Sequence, residues 1–364
     1  MKQETSKPKY SNNSKQVKEN LKMLYKKIAI IVLIAIFLAG CYSCKNSSKN
    51  TGTIPLTKEI QETYKYEAEY GLKITKSENA RIGQLVYWLA YPVSDEYQDI
   101  DSIKVNGSDY EIRSNVDSKY IVFYLNKDSF KNNITEIRLD ITFKSYVFKY
   151  NYPKNFSSIK INKYDKTTDL YKEYTKGEQY INLNNNLLKD KSDEFYKESQ
   201  NILEYAYKCY NWVASTFTYK NPLTGLYSVD EFIKNGGGDC GNFSSVFVTM
   251  MRIKGIPARH VIVRNTNNQL SSSFHMFAEI CLEGYGWFPI DVTRHNLSNN
   301  DYFGKFYDGM LILHRGINFP LKSRISEMQI NNATHLQLYY WQAYNTDTEK
   351  IKNDIIWETK SLGN

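Results

Sequence analysis

The sequence predicts an α+β protein in which an antiparallel β-sandwich precedes a body of buried helices and strands. Three observations carry that expectation. From about residue 57 to 155, apolar and polar residues alternate with period two. From about 191, apolar residues recur at helical spacing instead. From 274 to 291, two strand-like runs return, joined by the turn Leu282-Glu283-Gly284-Tyr285.

The amino-terminal segment reads as an address. Lysines crowd residues 1–27, and Ile28 to Gly40 is an unbroken run of 13 apolar or small residues. A bilayer-spanning helix needs ~20 apolar residues, whereas the core of a signal peptide needs only 7–15. The run ends at Leu38-Ala39-Gly40-Cys41, which resembles a bacterial lipobox, where small residues precede a cysteine that receives lipid. The resemblance implies a lipoprotein signal peptide over 1–40, lipidation of Cys41, and a protein anchored in the bacterial cell envelope outside the cytoplasm. An uncleaved anchor over the same run places the chain equally outside the cytoplasm. Residues 41–56 are polar and small and read as a tether. Cys41 and Cys44 form a C-x-x-C, but it lies at the end of a signal core rather than at a helix start, so a redox role is disfavoured.

Composition narrows the function. The chain has 364 residues, 41% hydrophobic and 24% charged, which suits about two domains and excludes wholesale disorder. Five cysteines are too few for a disulfide scaffold. Eight lysines against two glutamates in residues 1–27 carry +6 of the formal +8, leaving about +2 for everything else. No nucleic-acid footprint remains in the folded part.

The 57–155 region is the expected sandwich. Ile137, Leu139, Ile141 and Phe143 alternate with polar residues, Val86 to Tyr91 and Tyr120 to Tyr124 are aromatic and β-branched, and Asn106-Gly107 and Asn132-Asn133 supply turns. It holds no acid pair, histidine or cysteine arrangement suited to chemistry. Beyond it, Phe195, Ile202, Ala206, Cys209, Val213 and Phe217 share one stripe of a helix expected over 191–217, with Cys209 a packed core thiol. Ser228 and Glu231 have the spacing of a capping box at the start of a second, short helix.

The chemistry begins at Gly236-Gly237-Gly238-Asp239-Cys240. The glycines let the backbone turn sharply, and Phe243, Val246, Phe247, Met250 and Met251 then mark one buried face of an amphipathic helix, closed by Gly255 and Pro257. Cys240 thus falls in the first turn, beside unpaired N–H groups and the positive end of the dipole. A thiol of ordinary pKa ~8.5 is barely ionised at neutral pH, and such a helix end with a neighbouring imidazolium brings thiols to ~3.5–7.5. Downstream, His275 lies seven residues before Leu282 and Asp291 six after Tyr285, so a hairpin brings them opposite within one residue of register. Strands ~4.8 Å apart let the carboxylate hold one imidazole nitrogen while the other faces Cys240. Thiolate, imidazole and carboxylate are the groups that nucleophilic acyl transfer requires.

Residues 236–293 resemble the core of the bacterial transglutaminase-like superfamily, which has a papain-like fold. The likeness rests on Gly238-Asp239-Cys240, on Met251-Arg252 followed by Gly255-Ile256-Pro257-Ala258-Arg259, on His275 ahead of Glu279, and on Gly286-Trp287 leading to Asp291-Val292-Thr293. A looser likeness spans roughly 160–310, so the catalytic domain is expected over 156–310 with a C-terminal extension over 311–364. The resemblance implies Cys240 as nucleophile, His275 as proton carrier, Asp291 as its acid, and Tyr219 as a donor completing the oxyanion hole beside the Cys240 backbone N–H. Gly241 stands where animal transglutaminases have a tryptophan, so cross-linking and calcium dependence do not carry over.

The expected function is cysteine-dependent acyl transfer or hydrolysis of amide bonds, of peptidase, amidase or transglutaminase type. Its partners are a peptide or protein substrate, with peptidoglycan among the options, and the membrane through the N-terminal lipid; no cofactor or metal is implied. The competing reading is a non-catalytic envelope protein that keeps the fold and binds peptide or glycan, for which 31 tyrosines would supply the surface. Zinc chemistry is disfavoured because no H-E-x-x-H occurs, and His260, His314 and His335 read as structural or exposed.

Overall fold

The structure, a computed structural model, describes residues 56–153, 156–220, 225–266, 274–307 and 309–363. The signal segment, Cys41, Cys44 and the tether up to residue 55 lie outside the described residues. Strands β1 (Thr57–Lys76), β2 (Gln84–Tyr91), β3 (Gln98–Asn106), β4 (Tyr110–Ser114), β5 (Lys119–Leu125) and β6 (Ile134–Asn151) follow the period-two segment. The turn after β3 uses Gly107 at φ 145°, and Asn132 and Asn133 before β6 take φ 49° and 66°, the left-handed region asparagine tolerates better than most residues.

Helices α1 (Asp169–Thr175), α2 (Asn186–Lys197) and α3 (Ile202–Thr216) come next, then β7 (Thr218–Tyr219), α4 (Val229–Asn235), β8 (Gly237–Gly238) and α5 (Cys240–Ile253). The single helix expected over 191–217 is two. Asn201 breaks it, because its side chain caps α3 by accepting from the Glu204 N–H at 3.0 Å. Ser228 caps α4 through the Glu231 N–H as its spacing implied. Strands β9 (Ala258–Asn265), β10 (Phe274–Leu282) and β11 (Gly286–Ile290) lead to α6 (Val292–Ser298), β12 (Lys305–Phe306) and β13 (Met310–Arg315).

Helix α5 departs from the amphipathic expectation. Every residue from Gly241 to Arg252 is buried, so this is a central helix. Its polar side chains are satisfied within the protein: Ser244 Oγ donates to the Cys240 carbonyl at 2.8 Å, Thr249 Oγ1 to the Ser245 carbonyl at 2.7 Å, and Arg252 Nε to the Ala258 carbonyl at 2.9 Å. The i−4 pattern lets hydroxyls sit in an apolar interior without stranded donors. Around α5, Phe243, Val246, Phe247 and Met250 pack with Cys209 and Val213 of α3 and with Ala278 and Ile280 of β10. The sheet beneath has the order β11-β10-β9-β13, all antiparallel.

The chain ends with β14 (Phe319–Leu321), β15 (Ile330–Ala333), β16 (Tyr340–Tyr344) and β17 (Ile351–Gly363). β14 and β15 pair with each other, and β16 and β17 close the sandwich. One sheet runs β12-β6-β1-β17 with β3 also on β6, and the facing sheet runs β16-β2-β5-β4. Tyr70 of β1 stands opposite Trp357 of β17, and Trp88 of β2 opposite Tyr340 of β16. Residues 311–364 therefore do not form a separate extension: β13 edges the sheet under α5, and β16 and β17 complete the sandwich that 57–155 leaves open. Residues 51–364 make one compact unit. A buried ionic network stitches its parts, with Glu279 of β10 accepting from Arg259 Nε at 2.6 Å, Arg315 Nε at 3.0 Å and the Tyr97 hydroxyl at 2.7 Å.

Candidate active site

Cys240 is the first residue of α5, and the backbone before it is built to put it there. Gly237 takes φ 149°, and a Cβ on it would overlap the Thr218 carbonyl oxygen, because β8 lies parallel against β7. A Cβ on Gly238 would run into the Tyr227 hydroxyl and Phe232. Only glycine permits so close an approach at these two places. Asp239 then caps the helix, accepting from the Asn242 N–H at 3.2 Å and from Asn242 Nδ2 at 2.8 Å. Burial pushes its carboxyl above the usual range, against those hydrogen bonds. Cys240 keeps partial exposure, while Cys209 and Cys281 are buried. Burial pushes the Cys209 thiol far up, so it stays protonated and inert in the core.

His275 and Asp291 meet, but not through the expected register. The ladder runs from Leu282 opposite Gly286 to Ala278 opposite Ile290. Continued by one step, it points Asp291 at Phe277, two residues from His275. The contact forms because Asp291 leaves the strand at φ −108°, ψ 89° to cap α6. Its Oδ1 accepts from the Arg294 N–H at 2.9 Å, and its Oδ2 meets His275 Nε2 at 2.6 Å. Both residues are almost fully buried, at 7% and 1% exposure, which leaves water little room to weaken the pair. Cys240 lies near enough to the imidazole to help raise its pKa.

Electrostatics favours the ion pair. Burial alone would disfavour the imidazolium, but the charge and hydrogen bond of Asp291, reinforced by Cys240, raise His275 to about 10. Burial likewise opposes ionisation of Asp291, yet His275, Tyr307 and the Arg294 N–H hold it below the usual carboxylate range. Strand β10 is itself anchored near the site, since Gln337 Nε2 donates to the His275 carbonyl at 3.0 Å and the Val263 carbonyl at 3.2 Å.

Tyr219 sits across the β7–β8 ladder from Gly238, two residues before Cys240. Burial, with the nearby Cys240, Asp239 and Asp291, pushes its hydroxyl to about 12, so it remains a donor. Tyr307 escaped the sequence reading. Its hydroxyl donates to Asp291 Oδ2, the oxygen that His275 uses, and the Arg294 guanidinium lies 4.7 Å from its ring. His260 and His314 are buried and His335 is half-buried, and burial lowers the pKa of each. Among the described residues no group of three or more His, Cys, Asp or Glu side chains could hold a metal ion, and no helix is long and apolar enough to cross a membrane.

The description of the transglutaminase-like superfamily matches residues 189–292, which contain Cys240, His275 and Asp291. The chain carries a transglutaminase-like domain. Proteins of this superfamily are generally cysteine-dependent peptidases or acyltransferases. An uncharacterised protein of Haemophilus influenzae is 26% identical over 297 residues, covering 72% of this chain and 76% of its own. A proposed cysteine protease of Cytophaga hutchinsonii superposes with a TM-score of 0.58 at 12% identity, covering 85% of this chain and 94% of that one. That likeness establishes a shared fold, extending beyond the transglutaminase-like domain into the sandwich. The periplasmic domain of TgpA from Pseudomonas aeruginosa superposes only loosely, with a TM-score of 0.34 at 16% identity over 64% of this chain and 92% of that one.

Proposed function

We propose that the protein is an envelope-anchored thiol enzyme that cleaves or transfers acyl groups at amide bonds. The observation that carries this is the buried imidazole of His275, hydrogen-bonded to Asp291 and near Cys240 at the start of α5. In this reading the Cys240 sulfur attacks the carbonyl carbon of an amide. The carbon–nitrogen bond then breaks, with the departing nitrogen taking its proton from His275. Water or a second amine attacks the resulting thioester, gives its proton back to His275, and frees the sulfur. The oxyanion forms beside the Cys240 N–H at the start of α5 and the Tyr219 hydroxyl, where a donor and a helix dipole stabilise developing charge. Lipid on Cys41 would hold this body at the membrane, and residues up to 56 would give it reach; a peptide, including the peptide part of peptidoglycan, is the substrate class that fits.

The experiment is to incubate the full chain with labelled peptides and peptidoglycan fragments and to read products by mass. Cleaved or transferred product that disappears in Cys240→Ala supports the proposal. Product formation that survives Cys240→Ala, or a Cys240→Ala strain with the full cellular phenotype, refutes it and favours the binding-protein alternative.

A further inference from the structure

Helix α6 carries more than the acid. Asp291 caps its start, and five residues on, Asn296 reaches across to the far end of α3. Its Nδ2 donates to the Ala214 carbonyl at 2.7 Å and to the Phe217 carbonyl at 2.8 Å. Both neighbours are acceptors, so the amide nitrogen and not its oxygen must face them. The last carbonyls of a helix have no partner within it, and Asn296 supplies one where α3 gives way to β7. The adjacent His295 joins the same two helices. Its ring lies over that of Tyr210 at 4.5 Å between centres, and its Nε2 meets Asn211 Oδ1 at 3.1 Å.

Phe217 lies two residues before Tyr219, the donor assigned to the oxyanion. Strand β7 has only two residues. On one side β8 holds it, with the Thr218 N–H donating to the Gly236 carbonyl at 3.1 Å and the Lys220 N–H to the Gly238 carbonyl at 2.9 Å. Those bonds tie Tyr219 to the backbone that leads into Cys240. Asn296 holds the entry to the strand and ties it to the helix that begins beside Asp291. The Tyr219 ring lies 6.5 Å from that of Phe243, and its hydroxyl makes no hydrogen bond among the described residues, so the backbone aims it. An oxyanion donor works only within about 2.7–3.1 Å of the oxygen it stabilises, so a small shift of β7 forfeits much of its effect.

Resting on the function proposed above, we infer that Asn296 is a positioning residue for the oxyanion hole: through the Ala214 and Phe217 carbonyls it sets Tyr219 in place relative to the Asp291–His275 side of the site. Asn296 touches no reacting atom. It acts on the step in which a carbonyl attacked by the Cys240 sulfur gathers negative charge on its oxygen, and not on the readiness of the sulfur itself.

Two reagents separate those effects in the full chain. p-Nitrophenyl acetate passes its acetyl group to the Cys240 sulfur through an oxyanion, as p-nitrophenolate leaves. Iodoacetamide alkylates the same sulfur by displacement of iodide, with no oxyanion. Asn296→Ala is expected to slow acetylation about tenfold, part of the ~10²–10³ that loss of an oxyanion donor costs, and to leave alkylation within about twofold of the parent. In a Tyr219→Phe chain the same change is expected to slow acetylation by under about twofold, since no donor is left to misplace. Equal slowing of both reactions, undiminished slowing in the Tyr219→Phe chain, or no slowing of acetylation overturns the inference. Asn296→Asp, which keeps the size but turns an acceptor toward the carbonyls, takes the place of Asn296→Ala if that chain does not fold. Failure of Cys240 to acetylate in the parent refutes the proposed function instead, and a Tyr219→Phe chain that acetylates at the parent's rate refutes its oxyanion donor. In either case the hold on β7 is read by amide hydrogen exchange. Faster exchange at Thr218 and Lys220 in the variant, at equal global stability, upholds it; equal exchange overturns it.

Discussion

Replacing Asp291 with asparagine removes the charge that faces His275 while preserving the side chain's shape and its cap on α6. His275 stands at about 10 in the folded chain against an ordinary 6.5, because Asp291 and Cys240 overcome the burial that would lower it. A folded value above the unfolded one stabilises fully below about pH 6.5 and loses that contribution as pH climbs through about 10. At 1.36 kcal/mol per tenfold, the contribution at pH 7 is about 4 kcal/mol, and by pH 10 it is under about 0.5 kcal/mol. The first figure falls within the ~3–5 kcal/mol cost of stripping one partner from a buried pair. Asp291 supplies the acid side: its folded value is lowered, so its contribution is present above the ordinary carboxylate range and fades as pH falls through the folded value. Urea unfolding of the parent and of Asp291→Asn at a series of pH values reads this directly. The stability gap is expected to be widest near neutrality and to close toward pH 10. A gap of equal size at pH 7 and pH 10 would refute the charge-pair account and leave only a packing role for Asp291.

Other expectations follow from the same geometry. Tyr307→Phe keeps the ring but removes a donor to Asp291 Oδ2, so the carboxylate should ionise at higher pH; the acid limb of the rate profile moves up and kcat falls about tenfold, as for loss of a hydrogen bond to a charged group. Tyr219→Phe should lower kcat by up to ~100-fold with little change in KM, the pattern for a donor used mainly in the transition state. Gly237→Ala should abolish soluble, cooperatively melting protein or its reactivity at Cys240, since the new Cβ would overlap the Thr218 carbonyl. Glu279→Gln removes the carboxylate that the buried guanidinium groups of Arg259 and Arg315 share, leaving them Asp117 and Asp95, and should cost about 1.5–3 kcal/mol of unfolding free energy, measured in urea.

What could be read from the sequence was what local chemistry encodes. Gly238-Asp239-Cys240 announces a helix start, alternation announces β6, and unbroken aromatic and β-branched runs announce β2 and β5, because these signals lie within a few residues of what they specify. Pairing between distant strands has no such signature. Nothing in Trp357 says that it lies opposite Tyr70, so the closing of the sandwich by β16 and β17 was out of reach. The break between α2 and α3 was hidden because apolar spacing continues across it from Phe195 to Ile202. Its signal was Asn201 with Glu204 three residues on. His275 and Asp291 were paired correctly for a partly wrong reason: the ladder misses by two residues, and the capping turn at Asp291 makes up the difference. Tyr307, 16 residues beyond Asp291 and outside any motif, becomes visible only when the loop after β12 is seen folding back.

The central claim is that His275, held as an imidazolium by Asp291, faces a reactive sulfur. The most direct measurement is the rate at which iodoacetamide alkylates Cys240 in the full chain as pH is varied, in the parent and in His275→Ala. The account predicts faster alkylation in the parent than in the variant while the imidazolium stands beside the sulfur, with the advantage fading as His275 loses its proton near pH 10. Identical profiles for the two proteins would contradict it.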